Sequence, residues 1–333
     1  MIYEGCTCRA ILLVHPRGSV VHSELLHKYS RSLCKITFSC QGDDDRPLYK
    51  SIHVDDLPEL LTQLVSGPLG QWYLEKENKP LIQSNVTSHL LREYLLAGGK
   101  HPAREYHHLF SREFPHAALS YEWKLGMLDV SNVLRDPLVL NHPELLLEKD
   151  VRRGKDGKAN PRVWIDVFFI DQVSKNIRVE LGIAQEYYIL CILHIVAGSE
   201  SFLTRGWCLW ELGLRAHAKK RSLIVGSLGN TVSAAIEFND VWNVIFILRL
   251  PLQAAELGNK FYENMKLFDP SDRSAIEWGL KRVFDYDEGK INRAITAQVS
   301  HILVQLLFKR DLIQRLCKQI GDNSQCCCLC IIA

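Results

Sequence analysis

The stretch FPHAALSYEW, Phe114 to Trp123, is where the pattern of the chain changes. Ala117 to Tyr121 is a short apolar run, and four more follow: Val163 to Phe169, Leu193 to Ala197, Leu223 to Val225 and Val244 to Leu248. Between the last four lie stretches with a 3.6-residue periodicity. Short apolar strands alternating with helical segments are the pattern of parallel β-α units, so the sequence predicts a parallel sheet covered by helices on both faces.

Outward from that block, residues 1–110 read as a small α/β domain of unknown role. Ala10 to Val14 and Lys35 to Ser39 are its strands, Val20 to Leu33 is a helix, and GDDDRP is an acidic loop. Asp55 or Asp56 caps a helix with Pro58 in its first turn, and LLREYLLAGG closes another at a glycine. His101, His107, His108 and His116 match no metal spacing and are expected at the surface. Residues 111–250 form the parallel domain and residues 251–320 a helical extension, amphipathic from Ile291 to Ile320. RRGKDGK, Arg152 to Lys158, reads as a solvated basic loop.

Forty basic against 38 acidic side chains leave a formal charge of +2 over 333 residues, which supplies no field for a nucleic-acid backbone. Nucleic acid is therefore not an expected partner. The longest apolar runs, such as VWNVIFIL from Val241, fall short of the roughly 18–20 residues of a membrane-spanning helix. The opening MIYEGCTCRA has neither a secretory pattern nor a glycine at position 2. The chain is expected in the cytosol, with Cys6, Cys8, Cys34, Cys40, Cys191, Cys208 and Cys317 as reduced thiols. No phosphate-cradling loop, dinucleotide fingerprint, serine elbow or zinc-protease motif occurs, and no metal site or bound cofactor is predicted.

Residues 321–333 end in QCCCLCIIA, where Cys330, two aliphatic residues and Ala333 make the C-a-a-X pattern of a prenylated cysteine. One lipid gives only marginal membrane binding. Cys326, Cys327 and Cys328 are candidate palmitate acceptors, and Lys309, Arg310, Arg315 and Lys318 add attraction to anionic lipid. The alternatives are a disordered, cysteine-rich tail or a thiolate metal site, the second disfavoured because adjacent cysteines fit tetrahedral zinc poorly. The expected location is the cytoplasmic face of a membrane, reached by a lipid anchor.

Three motifs sit at or just after strand ends: ALSYEW (Ala118 to Trp123), VWIDVFFIDQ (Val163 to Gln172) and RGWCLWEL (Arg205 to Leu212). Over roughly residues 115–250 they resemble the Toll/interleukin receptor (TIR) domains and the related fungal heterokaryon-incompatibility (HET) domains. The first two are similar to the HET patterns A-L-S-Y-x-W-G and W-I-D-x-x-C-I-D-Q. The third is similar to W-C-L-x-E-L of plant TIR domains and R-x-W-x-x-Q-E of HET domains. Lys124, Phe169 and Trp210 depart from the HET glycine, cysteine and glutamine.

The resemblance implies a flavodoxin-like parallel sheet and, as in catalytic TIR domains, release of nicotinamide from NAD or NADP as substrate. It places the essential glutamate at Glu211, with Trp207 one turn earlier as an aromatic wall. With a flavodoxin-like strand order, Ser120, Tyr121, Trp123, Asp166 and Asp171 line the same crevice. The family also implies self-association. Simpler accounts stand beside these. Glu211 and Arg215 have the spacing of an ordinary helix-surface ion pair, Asp166 fits a strand-end hydrogen bond to a neighbouring loop, and many TIR domains are non-catalytic adaptors.

Overall fold

The computed structural model describes residues 49–154, 157–170, 177–197, 205–225, 265–267, 270 and 272–307. They belong to one unit, Asp45–Ala333. The strands and helix expected before residue 45, the strand at Val244 to Leu248, Asp171 and the cysteine tail lie outside the described residues.

A six-stranded mixed sheet organises the chain. Its strands are β1 (Ser51–His53), β2 (Phe110–Ser111), β3 (Ala117–Tyr121), β6 (Arg162–Trp164), β7 (Leu193–Ala197) and β8 (Leu223–Val225), in the order β2-β1-β6-β3-β7-β8. Between β3 and β6 the loop read as RRGKDGK contributes a separate hairpin, β4 (Arg152–Arg153) with β5 (Ala159–Asn160). From β6 to β8 the pairing is parallel, and the longest ladder runs from Ala117 opposite Leu193 to Tyr121 opposite Ala197. Every residue of β3 and β7 is buried, which is why these strands are mainly apolar rather than alternating, with Ser120 and His194 as their polar exceptions. By order of occurrence the parallel strands stand second, first, third, fourth. The direction of winding therefore reverses at β3 and β7, and a crevice is expected beyond the carboxyl ends of these two strands.

The described helices that frame the sheet are α1 (Leu57–Ser66), α2 (Pro68–Glu77), α3 (Ser88–Leu96), α4 (Met127–Leu134), α5 (Ile177–Leu190), α6 (Gly206–His217), α7 (Asp272–Val283) and α8 (Glu288–Leu307). Alternation along β3 divides them. Tyr121 reaches Ser88 of α3 on one face, while Ser120 on the other looks toward α5 and α6. Behind α6 the packing with α7 and α8 is close because two positions have no side chain. A Cβ at Gly213 would meet Leu280 Cδ2 at 2.8 Å, and one at Gly279 would meet Trp210 Nε1 at 2.7 Å. No described helix is long and apolar enough to cross a membrane.

Three expectations need correction. The boundary near residue 110 does not divide the described residues, because β1 pairs antiparallel with β6 and carries β2 on its outer side. The apolar run at Val163 to Phe169 is not one strand: β6 ends at Trp164, and Asp166–Phe169 turns into a short helix. Asp166 is the first residue of that helix, and its own carboxylate accepts from Val167 N at 2.7 Å. His116 is not at the surface but 3 % exposed; its Nδ1 accepts from Arg162 N and its Nε2 meets Asp150.

Candidate functional site

Ionisable side chains collect where the parallel strands end, and burial sets their character. Glu211, in the second turn of α6, is 9 % exposed. Its Oε1 accepts from Tyr188 Oη of α5 at 2.8 Å, and Tyr188 also reaches Leu119 O of β3 at 3.2 Å. Oε2 is buried and has no hydrogen-bond partner among the described residues. Desolvation pushes the Glu211 carboxyl up to about 8; nearby Ser120 and Tyr188 oppose the shift, and the negative Asp166 adds to it. Tyr188 and Tyr121 are themselves held well above the usual phenol range, first by burial, and therefore remain protonated donors.

The second carboxylate is built differently. Asp166 accepts from Tyr121 Oη at 2.8 Å and Trp123 Nε1 at 2.8 Å, besides Val167 N. Burial raises its pKa, and these donors and Arg205 resist the rise. Tyr121 is held in turn by Ser88 Oγ at 2.6 Å. Two buried carboxyl groups thus lie near the ends of the parallel strands, both pushed up first by burial, Asp166 held by Tyr121, Trp123 and Val167 N and Glu211 by Tyr188. A third, Glu122, is 2 % exposed, with Lys124 Nζ at 2.9 Å and Arg205 Nη1 at 3.9 Å.

No protein-family model matches the chain, and no curated protein or solved structure matches it either.

Of the residues singled out by motif, Ser120, Tyr121, Trp123, Asp166 and Glu211 lie toward one edge of the sheet but on two faces: Tyr121, Trp123 and Asp166 bond to one another on the side of Ser88, while Ser120 bonds His194 and Glu211 bonds Tyr188 on the other. Trp207 is turned elsewhere: its indole N–H donates to Asp272 Oδ2 of α7 at 2.9 Å, and its ring stands edge-on to Trp210. The simple pairing of Glu211 with Arg215 is not what forms. The Arg215 guanidinium is fully buried on carbonyl oxygens: Nη1 donates to Tyr188 O at 3.1 Å and Cys191 O at 2.8 Å, and Nη2 to Ile192 O at 3.3 Å and Arg221 O at 2.9 Å. With Lys220 Nζ on Leu190 O and Cys191 O, it caps the carboxyl end of α5. Among the described residues no cation forms an ion pair with Glu211, Arg205 acting on it only from a distance, and its charge is not explained by helix-surface pairing. For Asp166 the strand-end hydrogen bond is what the structure contains.

Residues not anticipated are Tyr188, His194, Ser222, Glu122 and Arg205. His194 is completely buried in β7, between Ser120 Oγ at 2.6 Å from Nε2 and Ser222 Oγ at 2.7 Å from Nδ1. Its signal was present in LHIVA, where one polar residue interrupts a strand buried on both faces. Among the described residues no cluster of His, Cys, Asp and Glu has the makings of a metal site.

Proposed function

We propose that this edge of the sheet is the site of an NAD(P)+ glycohydrolase, in a TIR/HET-like domain of flavodoxin-like topology. The observation that carries the reading is Glu211: a buried carboxyl with Oε1 fixed by Tyr188 and Oε2 unclaimed by any described residue, at the reversal of strand order. The second-first-third-fourth order of the parallel strands supports the flavodoxin-like assignment.

In the proposed reaction the bond between ribose C1′ and the pyridinium nitrogen breaks, its electron pair leaving with neutral nicotinamide. The sugar becomes oxocarbenium-like, and the Glu211 carboxylate stabilises it at close range in a site largely removed from water. Water then adds to C1′ and its proton is lost to Glu211 or solvent. Pyridinium needs no general acid, so one carboxylate suffices. Asp166, fixed by Tyr121 and Trp123, adds negative potential without moving.

The proton on Glu211 must leave before it can act. kcat/KM for NAD is therefore expected to rise about tenfold per pH unit below about 8 and to level off above it. The pyridinium charge favours ionised Glu211, so kcat levels off at a lower pH than kcat/KM. Nicotinamide release by purified protein, with Glu211→Ala as control, tests the reading. Loss of about a hundredfold or more in the variant is the expected result, and undiminished turnover removes Glu211 from the mechanism.

A non-catalytic, self-associating adaptor is the second reading. It is favoured by the way Tyr121, Trp123 and Asp166 occupy one another's polar atoms. Absence of turnover at high, crowded protein concentration, where self-association is promoted, selects it.

We also propose attachment to a membrane through prenylated Cys330, with palmitate on Cys326, Cys327 or Cys328 as the second anchor. A Cys330→Ser variant is expected to move from the membrane to the soluble fraction of cells. Unchanged membrane fractionation contradicts the prenyl assignment.

A further inference from the structure

The oxygen of Tyr188 is fixed in place, but its proton is free to turn. The ring, 1 % exposed, stands edge-on to Trp164 of β6 at 5.3 Å, His194 of β7 at 5.3 Å and Trp210 of α6 at 6.0 Å, so three elements hold it. The hydroxyl then lies 2.8 Å from Glu211 Oε1 and 3.2 Å from Leu119 O of β3. A phenol has a single proton to offer these two acceptors. Burial keeps that proton on the oxygen, so the group stays a neutral donor.

The charge on Glu211 decides where the proton points. Leu119 O accepts only, and so does an ionised carboxylate. Facing both, the hydroxyl turns to the carboxylate, which is nearer and whose charge makes the bond about twice as strong as one to a neutral carbonyl. A protonated Glu211 reverses the order: its own O–H donates to Tyr188 Oη, and the phenol O–H turns to Leu119 O. Both arrangements use the same heavy atoms at the same spacing. Neither leaves Oε1 free, and Oε2 is the carboxyl oxygen with no hydrogen-bond partner among the described residues.

We propose that Tyr188 is a positioning residue for Glu211: its O–H swings from Leu119 O to Oε1 when the carboxyl ionises, anchoring Oε1 throughout and leaving Oε2 to meet the sugar cation. The inference rests on the glycohydrolase reading for its purpose but not for its geometry. Tyr188 touches no substrate and acts only through the carboxyl it holds. The other charged or titratable groups near Glu211 are Cys208 of α6, Arg205 at its start, Asp166 after β6 and Tyr121 of β3. Those near Tyr188 are His194 and Asp166. None of them is hydrogen-bonded to the Glu211 carboxyl, as Tyr188 is.

Two carbon-13 NMR signals of the whole protein follow the two partners across pH: the Glu211 carboxyl, assigned with Glu211→Gln, and Tyr188 Cζ, assigned with Tyr188→Phe. In the parent the Cζ signal is expected to shift with the same midpoint as the carboxyl, because the phenol exchanges acceptors as Glu211 ionises. In Glu211→Gln it is expected to stay flat. Tyr188→Phe keeps the ring against its aromatic neighbours and removes only the hydroxyl. It is expected to move the Glu211 midpoint upward by about one pH unit, the worth of a single hydrogen bond to a charged group. On the alkaline plateau, where Glu211 is ionised in both proteins, kcat of the variant is expected to be about tenfold lower with KM little changed, since the carboxylate has lost its anchor.

A Cζ signal that is flat across the Glu211 midpoint overturns the proposal, since the hydroxyl then keeps one acceptor. So does a Tyr188→Phe protein with an unmoved midpoint or an unchanged kcat, which is what a tyrosine that serves only packing would give. Signals and midpoints that move as expected in a protein that releases no nicotinamide uphold the pairing of Tyr188 with Glu211 and overturn the glycohydrolase reading instead.

Discussion

At pH 9 the Glu211→Gln protein is expected to resist urea better than the parent, and the advantage is expected to exceed that at pH 5 by about 4 kcal/mol. Burial has raised the folded-state pKa of Glu211 to about 8, above the 4.5 of an unfolded glutamate. Between those values the folded chain holds a proton that the unfolded chain has released, so stability falls as pH rises through the window and is level beyond it. From pH 5 to pH 8 the loss runs over three pH units at about 1.36 kcal/mol each. Glutamine is neutral throughout and retains an oxygen to accept from Tyr188, so it lacks this slope. Urea midpoints for the two proteins at pH 5, 7 and 9 check the expectation. Curves that stay parallel across pH would show that Glu211 ionises freely, and the picture of a desolvated acid would fail.

Arg215→Ala is expected to cost about 3–5 kcal/mol, the range seen when a buried charged group holding several partners is removed. The carbonyls of Tyr188, Cys191, Ile192 and Arg221 lose their donor together, and the fully buried side chain leaves a void beside α5. Arg215→Lys is expected to recover less than half of that, because one ammonium does not span oxygens arranged around a planar fork. Lys220→Ala, which removes donation to two carbonyls already near Arg215, should cost about 1–2 kcal/mol. Denaturant titration ranks the three variants. An Arg215→Ala protein within about 1 kcal/mol of the parent would refute the capping role.

Much of the fold was legible, and the reasons are specific. β3, β7 and β8 were read at their true limits because each is a short, mainly apolar run with clear ends, and β3 and β7 are buried throughout. The run at Val163 misled because Val167, Phe168 and Phe169 are buried as well, and hydrophobicity alone does not distinguish a strand from the helical turn that Asp166 starts. β1 and β2 were missed because three and two residues carry no period to detect. At the site, Glu211 and Asp166 stood out as carboxylates within aromatic and apolar motifs. Tyr188 did not, since a tyrosine on an amphipathic helix reads as core. Nor did His194 and Ser222, whose roles depend on the register of β3 against β7 and on a loop arriving from 28 residues further along the chain. Spacing cannot show that Arg215 turns away from its i,i+4 neighbour, because the carbonyls it chooses come from the end of another helix.

The antiparallel pair at the margin of the sheet bears on how copies of this protein can meet. Without it, β6 would be a boundary strand whose unpaired amides and carbonyls invite another chain. With it, the outermost described strand on that side is β2, only two residues long, which offers little template for a foreign strand. Growth by strand addition is thus discouraged at that margin. Among the described residues, the surfaces left for any assembly the proposed activity requires are helical ones or the far side of the sheet, and an interface mapped to residues 110–111 would be out of keeping with this architecture.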